Sequence, residues 1–304
     1  MYSLSSCWNS GRHTCGRQML QEIRSMGFEY AELSHGIRLG LLPGIIEAVE
    51  AGEIKISSLH NFCPLPMGIH YPAPNIFKFT ALDRRERDNA WKHSLKTLDT
   101  AARLKAHLVV LHMGAVEMKD YTDRLVEMVE EGKRETPKYA KLLEEALEKR
   151  EARKEPHVDA AYAFLNALAD EASQRGLKLG IENREAVEEI PFESDFPLFF
   201  RQFQQPCIGY WHDTGHGQIK ENLGLIHHAM HVGSLVDRLF GFHIHDVAFP
   251  GRDHLVPGTG SIDYAALKPY VKPHHLKVLE LSPSAPAELI PQGLAHIQGL
   301  WGTE

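Results

Sequence analysis

The feature that most constrains the fold is a short, mostly apolar run that recurs along the chain and is followed each time by a segment with helical periodicity. The eight runs are YSLSS (2–6), FEYAEL (28–33), IKISSL (54–59), HLVVL (107–111), LKLGI (177–181), CIGYW (207–211), FGFHI (240–244) and LKVLEL (276–281). Eight strand–helix units in 304 residues match the count and length of a (β/α)8 TIM barrel. The strands of that fold are buried on both faces, which explains why the runs are mostly apolar rather than alternating.

A doubly wound α/β sheet is the main alternative to the barrel. Such sheets usually contain fewer strands, and no G-x-G-x-x-G sequence follows any of the early runs. We therefore predict a single α/β TIM-barrel domain over residues 1–304.

One segment is longer than a strand–helix unit requires. Residues 114–158, between the fourth and fifth runs, are rich in charge and in good helix formers, which predicts a charged helical insertion. It is interpreted as a solvated hairpin on the rim, with a lid or an oligomer contact as the alternative. Because its charge density leaves little apolar surface, residues 117–157 are expected to be dispensable for the barrel.

Composition excludes some classes of partner. A formal net charge of −7 argues against a nucleic-acid ligand. No run approaches the roughly 18 apolar residues of a membrane span, and MYSLSSCWNSGRHT lacks the pattern of a leader peptide, so a cytoplasmic location is expected. The four cysteines are scattered, which favours neither a disulfide framework nor a structural zinc knot.

Most of the apolar runs end in a carboxylate or an imidazole. These residues are Glu32, His60, His112, Glu182, Asp213 with His216, His243 with His245 and Asp246, and Glu280. The carboxyl ends of barrel strands converge on one cup, where several carboxylates repel one another unless a cation neutralises them. Two Glu, one Asp and one His would suit Mn²⁺, Mg²⁺, Co²⁺ or Zn²⁺.

At these residues the chain resembles the xylose isomerase-like TIM barrel superfamily, which contains sugar isomerases, sugar 3-epimerases, inosose dehydratases and endonuclease IV. The resemblance spans most of the chain, through IEN (181–183), HDTGH (212–216), HIHD (243–246), PGTGSIDY (257–264) and LEL (279–281). It implies one divalent metal ion held by Glu182, Asp213, His243 and Glu280. It also implies that Glu182 and Glu280 are the catalytic pair that exchanges a substrate proton.

The resemblance also suggests which residues contact the substrate. His216 matches a substrate-contacting position of the sugar-acting members, and His245 shares the strand face of His243. Three further candidates for substrate contact are His60, His112 and His254, which match ligands of additional zinc ions in the endonuclease branch. Arg252, however, stands where that branch needs an aspartate, and a guanidinium cannot ligate a cation. Trp211 and Arg252 are further candidates, as an apolar wall and an anion clamp.

These observations favour a metal-dependent sugar isomerase or epimerase that removes a proton next to a carbonyl and passes through an enediolate. A sugar or polyol dehydratase or lyase on the same site, an endonuclease IV-like enzyme and a non-catalytic sugar-binding barrel remain as alternatives. The expected partner is a small carbohydrate or polyol, with no nucleic acid or membrane; a homo-oligomer is left open.

Overall fold

The computed structural model describes residues 1–303, which form twelve strands. They are β1 Tyr2–Ser5, β2 Tyr30–Leu33, β3 Lys55–His60, β4 Leu108–Leu111, β5 Gly114–Ala115, β6 Lys178–Glu182, β7 Glu189–Ile190, β8 Ile208–Asp213, β9 Leu239–Ile244, β10 Asp246–Ala248, β11 Arg252–Leu255 and β12 Leu276–Leu279.

The helices of the same residues follow the barrel strands or lie between them. They are α1 Gly16–Ser25, α2 Leu42–Glu50, α3 Arg84–Arg103, α4 Thr122–Glu130, α5 Pro137–Arg153, α6 Glu155–Gln174, α7 Phe196–Gln202, α8 Thr214–Asn222, α9 His228–Ser234, α10 Tyr264–Leu267 and α11 Ile290–Trp301. Among them, none combines the length and the apolar character that a membrane crossing requires.

Eight strands close into a parallel barrel in the order β1-β12-β9-β8-β6-β4-β3-β2. Each corresponds to one of the eight apolar runs, so the predicted (β/α)8 fold is confirmed. The two remaining pairs, β5 with β7 and β10 with β11, are short antiparallel ribbons beyond the strand ends.

Alternating residues of each strand point into the barrel, and this alternation decides what Trp211 does. Its indole packs in the barrel interior with Leu108, Val110 and Val278, and room for it exists because position 241 is glycine: a Cβ there would lie 2.5 Å from Trp211 Cζ3. Trp211 also lies edge-on to the ring of His243, with the centroids 5.1 Å apart. The structure therefore places it beneath the cup rather than beside a substrate.

The same alternation sends His212 to the outside of the barrel. Its Nδ1 lies 2.7 Å from the hydroxyl of Tyr210, and its Nε2 lies 2.8 Å from Nε2 of His228 on α9. His212 therefore packs between the strand and its covering helices, while its neighbour Asp213 points into the cup.

The charged segment after β4 is not merely solvated. It forms α4 and α5, and Leu125, Met128 and Tyr139 are buried within the main hydrophobic core. The Tyr139 hydroxyl donates to the carbonyl of Leu223 at 2.7 Å. Its charges lie mainly on the outer faces of amphipathic helices, so the premise that the segment has too little apolar surface to join the core is wrong.

Candidate metal centre

Four buried side chains converge at the carboxyl ends of β6, β8, β9 and β12. They are Glu182, Asp213, His243 and Glu280, whose potential ligand atoms all lie within 4.8 Å of one another. Nδ1 of His243 lies 2.6 Å from Glu182 Oε1, 2.9 Å from Glu280 Oε2 and 3.9 Å from Asp213 Oδ2. The structure thus brings together the four residues that the sequence suggested as ligands.

The chemistry of this cluster fits a divalent cation. Burial alone would lower the pKa of His243, yet the carboxylates of Glu280, Glu32 and Glu182 raise it well above its usual value. Positive charge is therefore strongly favoured where the carboxylates meet. Three carboxylates and an imidazole nitrogen are ligands that Mn²⁺, Co²⁺ and Zn²⁺ accept.

Glu32 contacts His243 at Nε2, the ring nitrogen that does not face the three carboxylates, and the sequence did not indicate this role. Nε2 of His243 lies 3.1 Å from each carboxylate oxygen of Glu32, which also accepts a hydrogen bond from Ser58 Oγ at 2.8 Å. A carboxylate that accepts a hydrogen bond from a ligand histidine fixes the orientation of the ring and keeps the proton on the nitrogen that faces it, here Nε2, so that Nδ1 faces the other carboxylates. Its position at the end of β2 was the available signal, but only the fold shows that it reaches His243.

A second cluster shares Glu182 with the first. Glu182 Oε2 lies 2.6 Å from His112 Nε2 and 3.7 Å from His60 Nε2. Nδ1 of His60 faces the carbonyl oxygen of Asn61 at 2.9 Å, so Nδ1 donates there and Nε2 is the nitrogen that faces Glu182. Burial, and then the charge of Arg184, lower the pKa of His112 to about 3. Two imidazole nitrogens and a carboxylate oxygen therefore converge as a potential ligand group.

A third group consists of histidines around Asp213. His245 Nε2 lies 2.9 Å from Asp213 Oδ2, and His216 Nδ1 lies 3.5 Å from Asp213 Oδ1. The ring of His254 stacks on that of His245, with the centroids 4.2 Å apart and an interplanar angle of 9°. His216, His245 and His254, all proposed from sequence to contact substrate, therefore lie together.

Arg252, like Trp211, is a predicted substrate contact that does not lie in the cup. It is exposed at the start of β11, and its neighbour Asp253 makes the ion pair with His254, Oδ2 to Nδ1, at 3.0 Å. Asp253 also forms a potential ligand group with His216 and Glu185. The carboxylate that appeared to be missing at 252 is thus supplied by the next residue.

The HDTGH sequence is explained by these contacts. Asp213 caps α8, since its Oδ1 accepts a hydrogen bond from the His216 backbone N–H at 2.8 Å. A Cβ at Gly215 would lie 2.0 Å from Cε1 of His245. Glycine is therefore needed for His245 to reach Asp213.

Arg184 is also part of the site. Its side chain is buried, with Nη1 3.1 Å from Glu182 Oε2 and Nε 3.0 Å from Glu189 Oε1. Together with His112, it holds one oxygen of Glu182 while the other oxygen faces His243.

One cavity of about 310 Å³ opens onto the cluster. Glu280 lines it together with Cys7, His35, Asp253 and His254. A larger hollow of about 650 Å³ lies between α6 and α7 on the outside of the barrel, away from these side chains. The smaller cavity is therefore the candidate binding site.

Comparison with known proteins agrees with this architecture. A family model described as a xylose isomerase-like TIM barrel matches residues 20–299. No curated protein sequence matches the chain significantly.

Three solved structures illustrate the similarity. A 3-keto-D-glucoside 4-epimerase from E. coli has a TM-score of 0.69 at 14% identity, over 98% of both chains. A D-psicose 3-epimerase studied in the presence of D-fructose has a TM-score of 0.67 at 14% identity, over 99% of both chains. The IolI protein with a bound zinc atom has a TM-score of 0.67 at 16% identity, over 98% of both chains. At such identities the likeness establishes the fold.

Proposed function

The chain belongs to the xylose isomerase-like TIM barrel family, and from this premise we propose that it is a divalent-metal-dependent sugar isomerase or epimerase. The observation that carries the proposal is the convergence of Glu182, Asp213, His243 and Glu280 within 4.8 Å, with Glu280 facing an open cavity. The solved relatives support the substrate class, since two are named as epimerases of sugars and one holds zinc.

In this proposal, Glu182, Asp213, His243 and Glu280 hold the ion. When bound, a divalent ion polarises a carbonyl and stabilises the negative charge that develops on its oxygen. Glu32 fixes the ring of His243 so that Nδ1 faces the three carboxylates.

The two glutamates move the proton. Glu280 lies on the cavity wall, where it can reach a carbon next to the substrate carbonyl. Glu182 ends β6, which β9 and β8 separate from β12 in the barrel. His112 and Arg184 contact its Oε2. Transfer between glutamates on opposite faces of the planar enediolate inverts a carbon, whereas return of the proton to the neighbouring carbon isomerises the sugar.

The test is proton exchange with solvent. Protein loaded with Mn²⁺ is incubated with D-fructose or D-psicose in D₂O and followed by NMR. Deuterium is expected at the carbon next to the carbonyl, and its configuration distinguishes epimerase from isomerase. Loss of water would identify a dehydratase or lyase, and binding without turnover a non-catalytic barrel. Full activity in a metal-replete Glu182→Gln, Glu280→Gln double variant would overturn the catalytic assignment.

A second candidate is metal-dependent phosphodiester cleavage of the endonuclease IV type. The cluster of His60, His112 and Glu182, together with Asp253 beside His216, favours it, whereas the net charge of −7 opposes it. Salt-dependent binding to an abasic duplex, with cleavage at the abasic position, would support this candidate over the sugar enzyme.

A further inference from the structure

His35 occupies the wall of the candidate cavity, at a position that neither the ligand set nor the proposed proton transfer uses. It lies in the segment between β2 and α2, and its ring meets the ring of His60 edge-on, with the centroids 4.7 Å apart and an interplanar angle of 73°. It lines the cavity together with Glu280. His35 is thus fixed by packing above the cluster.

One ring nitrogen of His35 is left without a hydrogen bond. Its Nδ1 atom is buried and has no hydrogen-bond partner within residues 1–303. Its neighbours on the cavity wall are paired, since Cys7 Sγ lies 3.2 Å from the Leu281 carbonyl oxygen and His254 pairs with Asp253 at 3.0 Å. A buried polar atom without a partner destabilises the fold unless something else satisfies it, so its retention at a cavity points to a ligand.

The cavity also indicates the charge and size of that ligand. Its lining in the described part of the chain includes no lysine or arginine, whereas Glu280 and Asp253 are carboxylates. A phosphorylated sugar would meet the charge of Glu280 and find no guanidinium or ammonium group, and the imidazole of His254 is already paired with Asp253. A volume of about 310 Å³ is at the small end of ligand sites and suits a monosaccharide.

We propose that His35 binds a hydroxyl group of a neutral, unphosphorylated monosaccharide and holds the sugar against Glu280. This assignment rests on the proposed function. His35 follows β2 and Glu280 follows β12, and in the closed barrel these two strands lie on either side of β1. The two residues therefore contact the substrate from either side of β1. A neutral imidazole can donate to one hydroxyl or accept from another, whichever nitrogen faces the sugar.

The experiment compares four variants of the metal-loaded protein. His35→Leu removes both nitrogens, His35→Asn keeps a polar group near the position of Nδ1, and His35→Gln keeps one near Nε2. His70→Leu, which removes an exposed imidazole from the next rim loop, is the matched control. For each variant, metal content is measured together with kcat and KM for the interconversion of D-fructose and D-psicose.

We expect His35→Leu to raise KM roughly tenfold, as loss of one hydrogen bond from a buried site implies, with metal content unchanged. One of the two amide variants should recover most of the affinity, and His70→Leu should behave like the unmodified protein. Among monodeoxy ketoses, one should bind more weakly to the unmodified protein but not to His35→Leu. That analogue would identify the hydroxyl that His35 contacts.

Three results would overturn the inference. Unchanged KM in His35→Leu means that the imidazole does not contact substrate, and failure of both amide variants to recover affinity assigns His35 a packing role. Preference for D-fructose 6-phosphate over D-fructose would refute the neutral substrate. If the unmodified protein neither binds nor converts these sugars, the proposed function fails, and this inference fails with it.

Discussion

Glu182 Oε2 lies 2.6 Å from Nε2 of His112, on the side of the carboxylate away from His243. One glutamate thus joins the cluster of three carboxylates to a cluster of two imidazoles. The second cluster has no carboxylate of its own beyond Glu182, so a cation held there lacks the charge compensation available in the first. This asymmetry leads to the first two predictions.

We expect one tightly held divalent ion per chain, and we expect His112→Asn to retain it. The reason is that Asp213, His243 and Glu280 remain in place when His112 is replaced. Elemental analysis of protein purified without chelator checks both statements. Three ions in the unmodified protein, falling to two in His112→Asn, would instead favour the endonuclease-like candidate.

Asp213→Asn is expected to abolish tight metal binding. The amide removes one of three anionic ligands, yet asparagine is as good an N-cap as aspartate, so the start of α8 is preserved. Asp83→Asn alters the exposed N-cap of α3 and is the control. Equilibrium dialysis with Mn²⁺ and Zn²⁺ measures the affinities; similar affinity in both variants would contradict the ligand assignment.

The barrel and the four-residue cluster could be predicted because their signals are local. A strand buried on both faces is apolar along its length. Glu182 and Asp213 end such strands, His243 is the residue before the end of β9, and Glu280 directly follows β12. Position along the strand and the two-residue alternation then determine which side chains enter the cup.

Residues beyond the strands could not be placed in this way. Arg252 and Asp253 differ in exposure because of how the β10–β11 ribbon turns, which no periodicity in the sequence encodes. Glu32 matters because the closed barrel brings it against His243 of β9, which is distant in sequence. His35 matters because the segment after β2 lines the same cavity as Glu280. The many charged residues of α5 likewise hid the fact that one face of this helix is buried. Amphipathic spacing can show that a helix has an apolar face, but it does not show which surface that face packs against.

Arg150 in α5 is expected to be essential for stability. Its buried guanidinium pairs with Asp195 and donates to the carbonyl oxygens of Val187 at 2.9 Å and Glu189 at 3.2 Å. Arg150→Met should lower the free energy of unfolding by about 3 kcal/mol, because it leaves a buried carboxylate with one fewer partner. Urea denaturation measures the loss.

The control for this prediction is Arg153→Met, which alters an exposed arginine on the same helix and should change stability by less than about 0.5 kcal/mol. Equal stability of the two variants would show that α5 is peripheral. By the same reasoning, replacing residues 117–157 with a short linker is now expected to prevent cooperative folding, contrary to the expectation from sequence.

The last prediction concerns the histidines outside the barrel, and it gives stability a dependence on pH that is separate from the metal centre. Burial chiefly lowers the pKa of His228 to about 4, whereas an unfolded histidine titrates near 6.5. Between these values the unfolded chain binds a proton that the folded chain does not, so stability must fall as the pH falls.

Across that window the loss from His228 is about 3 kcal/mol. His228→Gln should therefore reduce the pH dependence of the unfolding free energy between pH 6.5 and 4, while other buried histidines such as His231 keep part of it. His227→Gln, which alters the exposed neighbour, should keep the slope. Urea denaturation of the metal-loaded proteins at half-unit pH steps measures both slopes, and an unchanged slope in His228→Gln would show that the buried imidazole is already protonated in the folded state.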